Sequence, residues 1–481
     1  MALDYGKLKF KSGLEIHQQL GSSKKLFCNC PSILRKDNPD FEISRKLHAV
    51  AGESGKIDIA AKHQAEQDKE FTYQGYNDST CLVELDEEPP HELNLEALKI
   101  AVQIGLLMNM QILPLAQIMR KTVIDGSNTT GFQRTVLIAR EGFIETSFGK
   151  VGITSLLLEE DAARIVERSE KKEIYRLDRL GIPMVEVVTA PDIKNPEQAK
   201  EVALKIGEIL RSCEVKRGIG TIRQDVNISI RGEKRVEIKG MQDMNIFIKA
   251  IENEVERQKK LSDLKKPTEM EVRNVLPDSS SEFMRPLPGS ARMYPETDLP
   301  LLKISKDFVD KIKKHLPRLR GDIEQELKEK GLSEDMIKLL FKQKKLELFK
   351  ELIKIPNKPS LVAKTILLFP KEIAVKEERP VEFVDKILED NYNTVLDLLA
   401  SRKITENEIK DILTEIVQGK SLKEILKKEK ADSSEVEEKI LKIIKQNSGL
   451  SANAYMGIIM KEFKGKINAK EVMDIVKKFV K

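Results

Sequence analysis

The segment Gly13-Leu14-Glu15-Ile16-His17 alternates apolar and polar side chains, which predicts a β-strand. Successive side chains of a strand point to opposite faces of the sheet. Glu15 and His17 therefore share one face, and the apolar residues beside them share the other. A carboxylate and an imidazole presented together suit a divalent cation or a proton transfer. By itself the pair also fits the solvent-facing side of a half-buried strand.

Further carboxylates occur in two later segments. Glu159 and Glu160 follow an apolar run that ends at Leu158, and Glu186 lies within the apolar segment Pro183-Met184-Val185-Glu186. Carboxylates next to apolar residues therefore recur along the chain.

Two segments near residue 230 predict a β-hairpin with a charged face. Residues 221–231 and 236–239 both alternate polar and apolar side chains, and the turn-like Gly232 lies between them. Isoleucine and valine would fill the buried face. The polar face would carry Arg223, Asp225, Asn227, Glu237 and Lys239.

The remaining pattern predicts an α+β protein. Asn195 and Pro196 form an N-cap and first-turn pair that begins an amphipathic helix, and such helices interrupt the strands up to about residue 302. From Lys303 onward the apolar period is helical. We therefore predict a largely antiparallel β-sheet domain with flanking helices at residues 1–302, a helical domain at 303–405 and a helical tail domain at 406–481.

Residues 284–300 lie between the strand-rich part of the chain and the helical part. They are rich in proline and glycine, which predicts that they form no regular secondary structure. The same segment concentrates functional groups, among them Arg285, Arg292 and Tyr294. A plain connecting segment seldom carries so many charged and aromatic residues, so the composition favours a binding loop over a linker.

Composition bounds the class of protein. The 481 residues are 33% charged, with a formal net charge of +5, and the basic excess lies entirely after residue 302. That distribution favours a polyanion on the C-terminal part, although lysine-rich solvated helices would give the same balance. No apolar run is long enough for a membrane span, the N-terminus lacks a secretory signal, and four cysteines do not make a disulfide scaffold. We expect a cytoplasmic protein.

Six segments, in order along the chain, resemble motifs of the GatB/GatE family of tRNA-dependent amidotransferase subunits. The resemblance spans nearly the whole chain, and the paired glutamines 18 and 19 together with the last motif are similar to the archaeal GatE type. The six segments are Gly13-Leu-Glu-Ile-His-Gln-Gln-Leu20, Phe27-Cys-Asn-Cys30, Thr80-Cys-Leu-Val-Glu-Leu-Asp-Glu-Glu-Pro-Pro90, Leu158-Glu-Glu-Asp-Ala-Ala-Arg164, Asp178-Arg-Leu-Gly-Ile-Pro183 and Arg292-Met-Tyr-Pro-Glu-Thr-Asp298.

The resemblance implies a reaction and a site. Such subunits phosphorylate the γ-carboxylate of glutamate carried by tRNA(Gln), using ATP, and let ammonia displace the phosphate to give Gln-tRNA(Gln). It implies a cradle-shaped sheet domain with one Mg²⁺ site, formed by Glu15, His17, Glu159, Glu160 and Glu186. The same sheet would be lined by Arg223, Asp225, Asn227, Glu237 and Lys239. We assign Arg223 and Lys239 to phosphate or carboxylate contacts. We expect substrate contacts from Asn227, Glu237, Arg179, Arg285, Arg292 and Tyr294.

The resemblance also implies partners. The chain has no P-loop motif and no evident Ser-Lys amidase or cysteine glutaminase motif. ATP binding would therefore depend on the metal and the sheet, and a partner would supply the ammonia. For the GatE type this partner is GatD, an asparaginase-like subunit, in a heterodimer or larger assembly. The tail, which is similar to the family's YqeY-like domain, would bind tRNA(Gln).

Two departures from the family pattern stand out. Bacterial relatives hold zinc with a Cys-x-Cys and a later Cys-x-x-Cys, whereas a zinc site here would have only Cys28, Cys30 and Cys81, with Asp78 as a candidate fourth ligand. GatE proteins also carry a domain resembling part of aspartyl-tRNA synthetase, and only residues 264–271 stand in its place.

Three other interpretations remain open from the residues alone. The chain could be a GatB-type subunit, which copurification with an amidase-type partner and a small third subunit would identify. It could be a metal-dependent hydrolase in which Glu15, His17 and Glu186 activate water. It could also be an RNA-binding module without catalysis, in which case ATP and Mg²⁺ would be irrelevant.

Overall fold

The fold is taken from a computed structural model. It describes residues 3–48, 55, 57, 59–266, 268–287, 292–426, 433–447, 449–463 and 469–479. The chain divides into two compact units, Met1–Arg320 and Gly321–Lys481. Among the described helices, none combines the length and the apolar character needed to cross a bilayer.

The first unit contains every strand that the structure describes. They are β1 (Lys11–Gln19), β2 (Phe41–Arg45), β3 (Glu70–Gly75), β4 (Gln111–Ile112), β5 (Leu115–Ala116), β6 (Ile118–Thr122), β7 (Phe132–Thr146), β8 (Gly149–Glu160), β9 (Arg164–Arg168), β10 (Lys172–Arg176), β11 (Pro183–Thr189), β12 (Ile222–Ser229), β13 (Val236–Lys239), β14 (Glu271–Val275), β15 (Ser281–Pro286), β16 (Met293–Pro295) and β17 (Leu302–Lys303).

Eleven of these strands form one sheet in the order β15-β14-β13-β12-β1-β11-β8-β7-β6-β16, with β4 beside β7. All its pairs are antiparallel except β13 with β14. Strands β2, β3, β10 and β9 form a second sheet, and β17 pairs with β5. β1 has a strand on each side, so residues 13–17, which belong to β1, lie inside the large sheet.

The helices are α1 (Ile59–Ala65), α2 (Leu95–Leu107), α3 (Pro196–Ser212), α4 (Phe247–Asp263), α5 (Lys306–Lys313), α6 (Arg320–Glu329), α7 (Glu334–Lys342), α8 (Leu346–Leu352), α9 (Pro359–Leu367), α10 (Phe369–Lys376), α11 (Val381–Glu389), α12 (Tyr392–Ala400), α13 (Ile409–Val417), α14 (Leu422–Leu426), α15 (Ser433–Gln446), α16 (Ala452–Glu462) and α17 (Ala469–Phe479). The Asn195 side chain accepts from the Gln198 N–H and Pro196 is the first residue of α3, as predicted.

Helices α2, α3 and α4 cover one face of the large sheet. The apolar residues of β1, Leu14 and Ile16, are buried there with residues of the neighbouring strands such as Val187 and Val226. Because side chains alternate along a strand, burying this face leaves the polar residues of the same strands on the other face. The packing of the helices therefore determines which face of the sheet exposes polar side chains.

The proline-rich segment departs from expectation. Residues 288–291 lie outside the described residues, but β15 and β16 form on either side of them, so the prediction of no regular structure is wrong. β15 and β16 are the two edge strands of the sheet, and each ends in a proline, Pro286 or Pro295. Proline is tolerated there because the outer side of an edge strand needs no N–H donor.

In the second unit, the regular secondary structure of the described residues is entirely helical. One apolar core includes Ile337, Phe349 and Tyr392, and a separate core includes Tyr455 and Val472. The predicted α+β class, with a sheet region followed by helices, is confirmed. The three-part division at residues 302 and 405 stays a prediction.

Candidate functional site

The exposed face of the large sheet brings together polar residues from separate parts of the chain. In the strand register, His17 lies opposite Glu186 on one side and opposite Arg223 on the other, while Glu15 lies opposite Asp225. Residues that are directly opposite in neighbouring strands point to the same face. The predicted grouping of β1, β11 and β12 on one polar surface is therefore what the structure has.

A first group of ligand-type residues, the His17 triad, consists of His17, Glu159 and Glu186. One donor atom from each lies within 4.8 Å of the others, and His17 Nε2 is 3.5 Å from Glu186 Oε2. Lys121 adjoins the triad, because its Nζ is 2.9 Å from Glu159 Oε1 and 3.3 Å from Glu186 Oε2. The group is a compact set of hard oxygen donors and one imidazole.

Charge interactions dominate this triad. Burial opposes ionisation of both His17 and Glu186, but their mutual hydrogen bond and the charge of Lys121 on Glu186 outweigh it. The pKa of His17 is accordingly raised and the pKa of Glu186 is lowered well below its usual value. The carboxylate is therefore present in its charged form, which is the form that binds a cation.

A second group, the Glu15 triad, consists of Glu15, Asp225 and Glu237, again with donor atoms within 4.8 Å. Lys239 Nζ is 2.6 Å from Asp225 Oδ2 and 2.7 Å from Glu237 Oε1, and Asn227 donates to Glu15 at 3.0 Å. Burial, with the nearby charge of Glu237, raises the pKa of Glu15. Each of the two triads thus combines carboxylates with one lysine.

Both triads border one cavity of about 230 Å³. Its lining includes the lysines of both triads and three arginines, Arg235, Arg285 and Arg292. A second cavity of about 270 Å³ adjoins it and shares Arg285 and Arg292. Positive groups and carboxylates thus line the same open space, an arrangement suited to a polyanionic ligand.

The structure departs from the prediction of one five-residue metal site. Glu15 and His17 share a face but belong to different triads. Glu160 belongs to neither, because it alternates with Glu159 along β8 and lies on the opposite face. Its Oε2 accepts from the Arg134 N–H at 3.2 Å. Period-two alternation assigns only one of the two adjacent glutamates to the polar face.

Tyr294, predicted to contact substrate, also lies away from the cavity. In the register it is opposite Arg120, and its ring packs edge-on against Phe132 at 6.2 Å. Both neighbours belong to the face that carries Arg134. The motif that contains Tyr294 therefore contributes Arg292 to the cavity and the tyrosine to the opposite face.

Two predicted arginines, Arg223 and Arg179, converge on the fully buried Asp161. Arg223 Nη2 is 2.8 Å from Asp161 Oδ1, and Gln19 donates to Oδ2 at 2.5 Å. Arg179 Nε lies 3.8 Å from Asp161 and donates to the Ala162 carbonyl at 2.8 Å. Burial opposes ionisation of Asp161, but the two arginines hold its pKa below the usual value.

The cysteine cluster contains Cys28, Cys30 and Cys81, with Glu84 as its fourth member. Glu84 oxygens lie 3.5 Å and 3.6 Å from the sulfurs of Cys28 and Cys30. Asp78, the predicted fourth ligand, instead pairs with Arg35 at the surface. The spacing Cys81-x-x-Glu84 matches a Cys-x-x-Cys motif with glutamate in its last position, and that signal was available in the sequence.

Lys121 and Arg235 both line the cavity, and sequence reasoning missed both. Lys121 follows Arg120 in β6, far from both triads in sequence. Only the pairing of β6 with β7, and of β7 with β8, brings it beside Glu159. A need for counter-charges near several carboxylates was foreseeable, but nothing local distinguished this lysine from the many others.

Comparisons with known proteins find relatives over the whole length of this chain. Residues 10–310 match the family model described as the GatB/GatE catalytic domain, and residues 347–480 match the GatB domain model. A protein of Methanocaldococcus jannaschii, named as the E-type subunit of glutamyl-tRNA(Gln) amidotransferase, is 37% identical over the whole length of both chains. The protein of the same name in Methanosarcina barkeri is 34% identical over 99% of this chain and 98% of its own.

The alignment with the Methanocaldococcus jannaschii protein runs over 632 residues, although this chain has 481. That relative therefore contains segments with no counterpart here, in keeping with the predicted absence of an insertion domain.

The buried Glu296 should be important for stability. Its carboxylate accepts from Arg120 Nε and Arg134 Nε, both at 2.9 Å. Glu296→Ala would leave the buried Arg134 poorly paired and should lower the free energy of unfolding by about 3 kcal/mol, measured by urea denaturation with circular dichroism. Asp298→Ala removes a half-exposed partner of Arg120 and should cost less than about 1 kcal/mol. An equal loss of unfolding free energy in the two variants would contradict the conclusion that the burial of Glu296 makes it important.

Proposed function

The chain belongs to the GatB/GatE family, and on that premise we propose that it is the catalytic subunit of a glutamyl-tRNA(Gln) amidotransferase. Its substrate would be glutamate esterified to tRNA(Gln), and its product Gln-tRNA(Gln). The observation that carries the proposal is the sheet face on which two carboxylate triads meet a cavity lined by lysines and arginines. The product serves translation, so we assign the reaction to the cytoplasm.

The chemistry requires activation of a carboxylate. A carboxylate is a poor electrophile, because its leaving group would be an oxide ion. In the proposed reaction a γ-carboxylate oxygen of the glutamyl group attacks the γ-phosphorus of ATP, and ADP leaves. Ammonia then attacks the acyl carbon and loses a proton, and inorganic phosphate leaves. Both steps need charge neutralisation and positioning more than covalent participation by the protein.

The side chains of the two triads are suitable ligands for Mg²⁺. The His17 triad offers two carboxylates and an imidazole, and the Glu15 triad offers three carboxylates; oxygen-rich sets of this kind suit a hard cation. When bound, Mg²⁺ would neutralise the triphosphate and polarise the phosphorus that is transferred. Glu160 and Tyr294 have no part in this scheme.

The other polar residues would bind and orient the substrates. Arg235, Arg285 and Arg292 line the cavity beside the triads, where they would contact phosphate oxygens. Arg223, anchored by Asp161, would present its remaining donors at the edge of the same face. Asn227 holds Glu15 in place through its amide.

Ammonia would come from a partner subunit. In the described part of the chain, Cys28, Cys30 and Cys81 belong to their own cluster and Cys213 is buried in the core. None lines the cavity with the two triads. We therefore propose that an asparaginase-like subunit of the GatD type releases ammonia for this site.

The isolated chain should form Gln-tRNA(Gln) from Glu-tRNA(Gln), ATP, Mg²⁺ and ammonium chloride, measured by chromatography of the released amino acid. Asparagine or glutamine should not replace ammonium. Glu186→Gln should lower turnover about 100-fold, because one charge of the His17 triad is lost.

Glu145→Gln is the matched control, because Glu145 is an exposed residue of β7 outside the cavity, and it should be fully active. Ammonia release from asparagine by the pure chain would contradict the need for a partner. Hydrolysis of small esters without ATP would favour the hydrolase interpretation.

We propose that the C-terminal helices bind tRNA. Helices α15, α16 and α17 share one apolar core, and the basic excess of the chain lies in its C-terminal part. Of the lysine-rich residues 461–481, positions 464–468, 480 and 481 lie outside the described residues. Lys477 and Lys478 are exposed at the end of α17, where they can contact phosphates.

Deletion of residues 433–481 should weaken tRNA binding and flatten its dependence on salt, since fewer counterions are released. Binding of an ATP analogue should stay unchanged. Fluorescence anisotropy with labelled tRNA over a salt series measures both effects. The double variant Lys477→Gln, Lys478→Gln should reduce the salt slope by about two. An unaltered affinity and slope after deletion would assign tRNA binding to another region.

Zinc is the cofactor we propose for the cysteine cluster, with Glu84 as the fourth ligand. Three cysteine sulfurs and a carboxylate are donors of the kind that bind zinc tetrahedrally. Lys25, fully buried and 2.6 Å from Glu84 Oε1, would balance part of the negative charge. The site would be structural, since it is separate from the two triads.

The purified chain should contain about one zinc per molecule by plasma mass spectrometry. Cys81→Ser should lose most of that zinc and melt at a lower temperature, because three donors would remain. Cys213→Ser, at a buried cysteine outside the cluster, should keep the zinc. Equal zinc contents in the two variants would refute the site.

A further inference from the structure

Each triad has a lysine ammonium at the point where its carboxylates meet. Lys121 touches two of the three members of the His17 triad, at 2.9 Å and 3.3 Å, and its side chain is only 13% exposed. Lys239 stands in the same relation to the Glu15 triad. A cation that bound in either triad would come close to an ammonium group that already contacts two of its carboxylates.

We propose that Lys121 is a removable counter-ion of the His17 triad. It holds Glu159 and Glu186 together in the absence of a cation, leaves them when Mg²⁺ binds, and then contacts phosphate in the cavity. The inference rests on the cation site proposed above.

The first step of the argument is the need for a positive charge. Glu159 is 1% exposed and Glu186 is 8% exposed, and neighbouring carboxylates in a poorly solvated place repel each other. Thr135 and Gln133 donate hydrogen bonds to Glu159 at 2.8 Å and 3.2 Å, but they carry no charge. Lys121 supplies the charge that keeps the two carboxylates close to His17.

The second step is that the ammonium group and a divalent cation exclude each other. Mg²⁺ binds oxygen at about 2.1 Å, and Lys121 Nζ lies 2.9 Å from Glu159 Oε1. An ion sharing that oxygen would lie within about 5 Å of Nζ, a distance at which like charges in a poorly solvated site repel strongly. Binding of the cation therefore weakens the contact with Lys121, and the converse also holds.

The third step is that the displaced side chain has a place to go. Lys121 lines the cavity of about 230 Å³ together with Arg285 and Arg292. Its four-carbon stem is flexible, whereas the side chains of the triad residues are shorter. An ammonium group released from Glu159 can turn into this cavity, where the proposed phosphates would lie.

The test uses Mn²⁺ as the probe, with binding to the full-length chain followed by electron paramagnetic resonance without nucleotide. Lys121→Met should bind Mn²⁺ about tenfold more tightly, because the competing charge is gone, while KM for ATP should rise. Lys121→Gln, which is also neutral, should show the same increase in Mn²⁺ affinity. It provides the test if Lys121→Met does not fold.

The matched control is Lys69→Met. Lys69 pairs with Glu173 at 2.7 Å and is similarly buried, but it lines only the adjoining cavity. This variant should leave Mn²⁺ affinity unchanged. Unchanged or weaker Mn²⁺ binding by both Lys121 variants would overturn the inference.

Displacement is tested in the unaltered protein by acetylation with acetic anhydride, quantified at each lysine by mass spectrometry. Mn²⁺ should increase modification of Lys121 and leave that of Lys69 constant. Protection of Lys121, or no change, would overturn the inference.

Glu186→Gln separates this inference from the proposed function. If it abolishes Mn²⁺ binding while the Lys121 variants bind no more tightly, only the inference fails. If it binds Mn²⁺ like the unaltered protein, the cation site itself is refuted, and the inference with it.

Discussion

Mutual neutralisation of buried charges is the constraint on which this sheet face depends. Five carboxylates and one imidazole of the two triads occupy neighbouring strands, mostly shielded from water. Such a concentration of negative charge is unfavourable unless cations lie within contact distance. Lys121 and Lys239 meet this need, each shared between two carboxylates. Such a face suits the cation and the phosphates of the proposed reaction.

The opposite face stabilises the same sheet by two different means. Over β1 and its neighbours it is apolar and packs on α2, α3 and α4. Toward the β6 edge it is ionic, where Glu296 joins Arg120 and Arg134. That contact anchors β16 against β6 and so positions the preceding Arg292 at the cavity. An ion network behind the sheet thereby helps to arrange the residues in front of it.

The large sheet is complete although this chain lacks segments that a relative contains. β13, α4 and β14 form a parallel crossover, and only residues 264–270 connect α4 to β14. The predicted site of the missing insertion lies in this connection. Because the crossover is complete without it, the strand order and both triads are compatible with a short link.

Much of the fold and half of the site could be predicted locally. Alternation along residues 13–17 and 221–239 placed Glu15, His17, Asp225 and Glu237 on polar faces, and the N-cap at Asn195 located α3. These inferences hold because backbone geometry alone fixes which face a side chain takes. The same rule separates Glu160 from Glu159, and the prediction that grouped them overlooked it.

Strand order and contacts between distant segments needed the tertiary structure. Alternation shows that two residues share a face of one strand, but not which strands lie beside it. Glu15 and His17 therefore fall into separate triads, Lys121 joins one of them, and Glu84 replaces Asp78 beside the cysteines. The sequence by itself determined the types of residue and their faces. Only the tertiary structure decided the partners, because pairing in a sheet joins segments that are far apart in the chain.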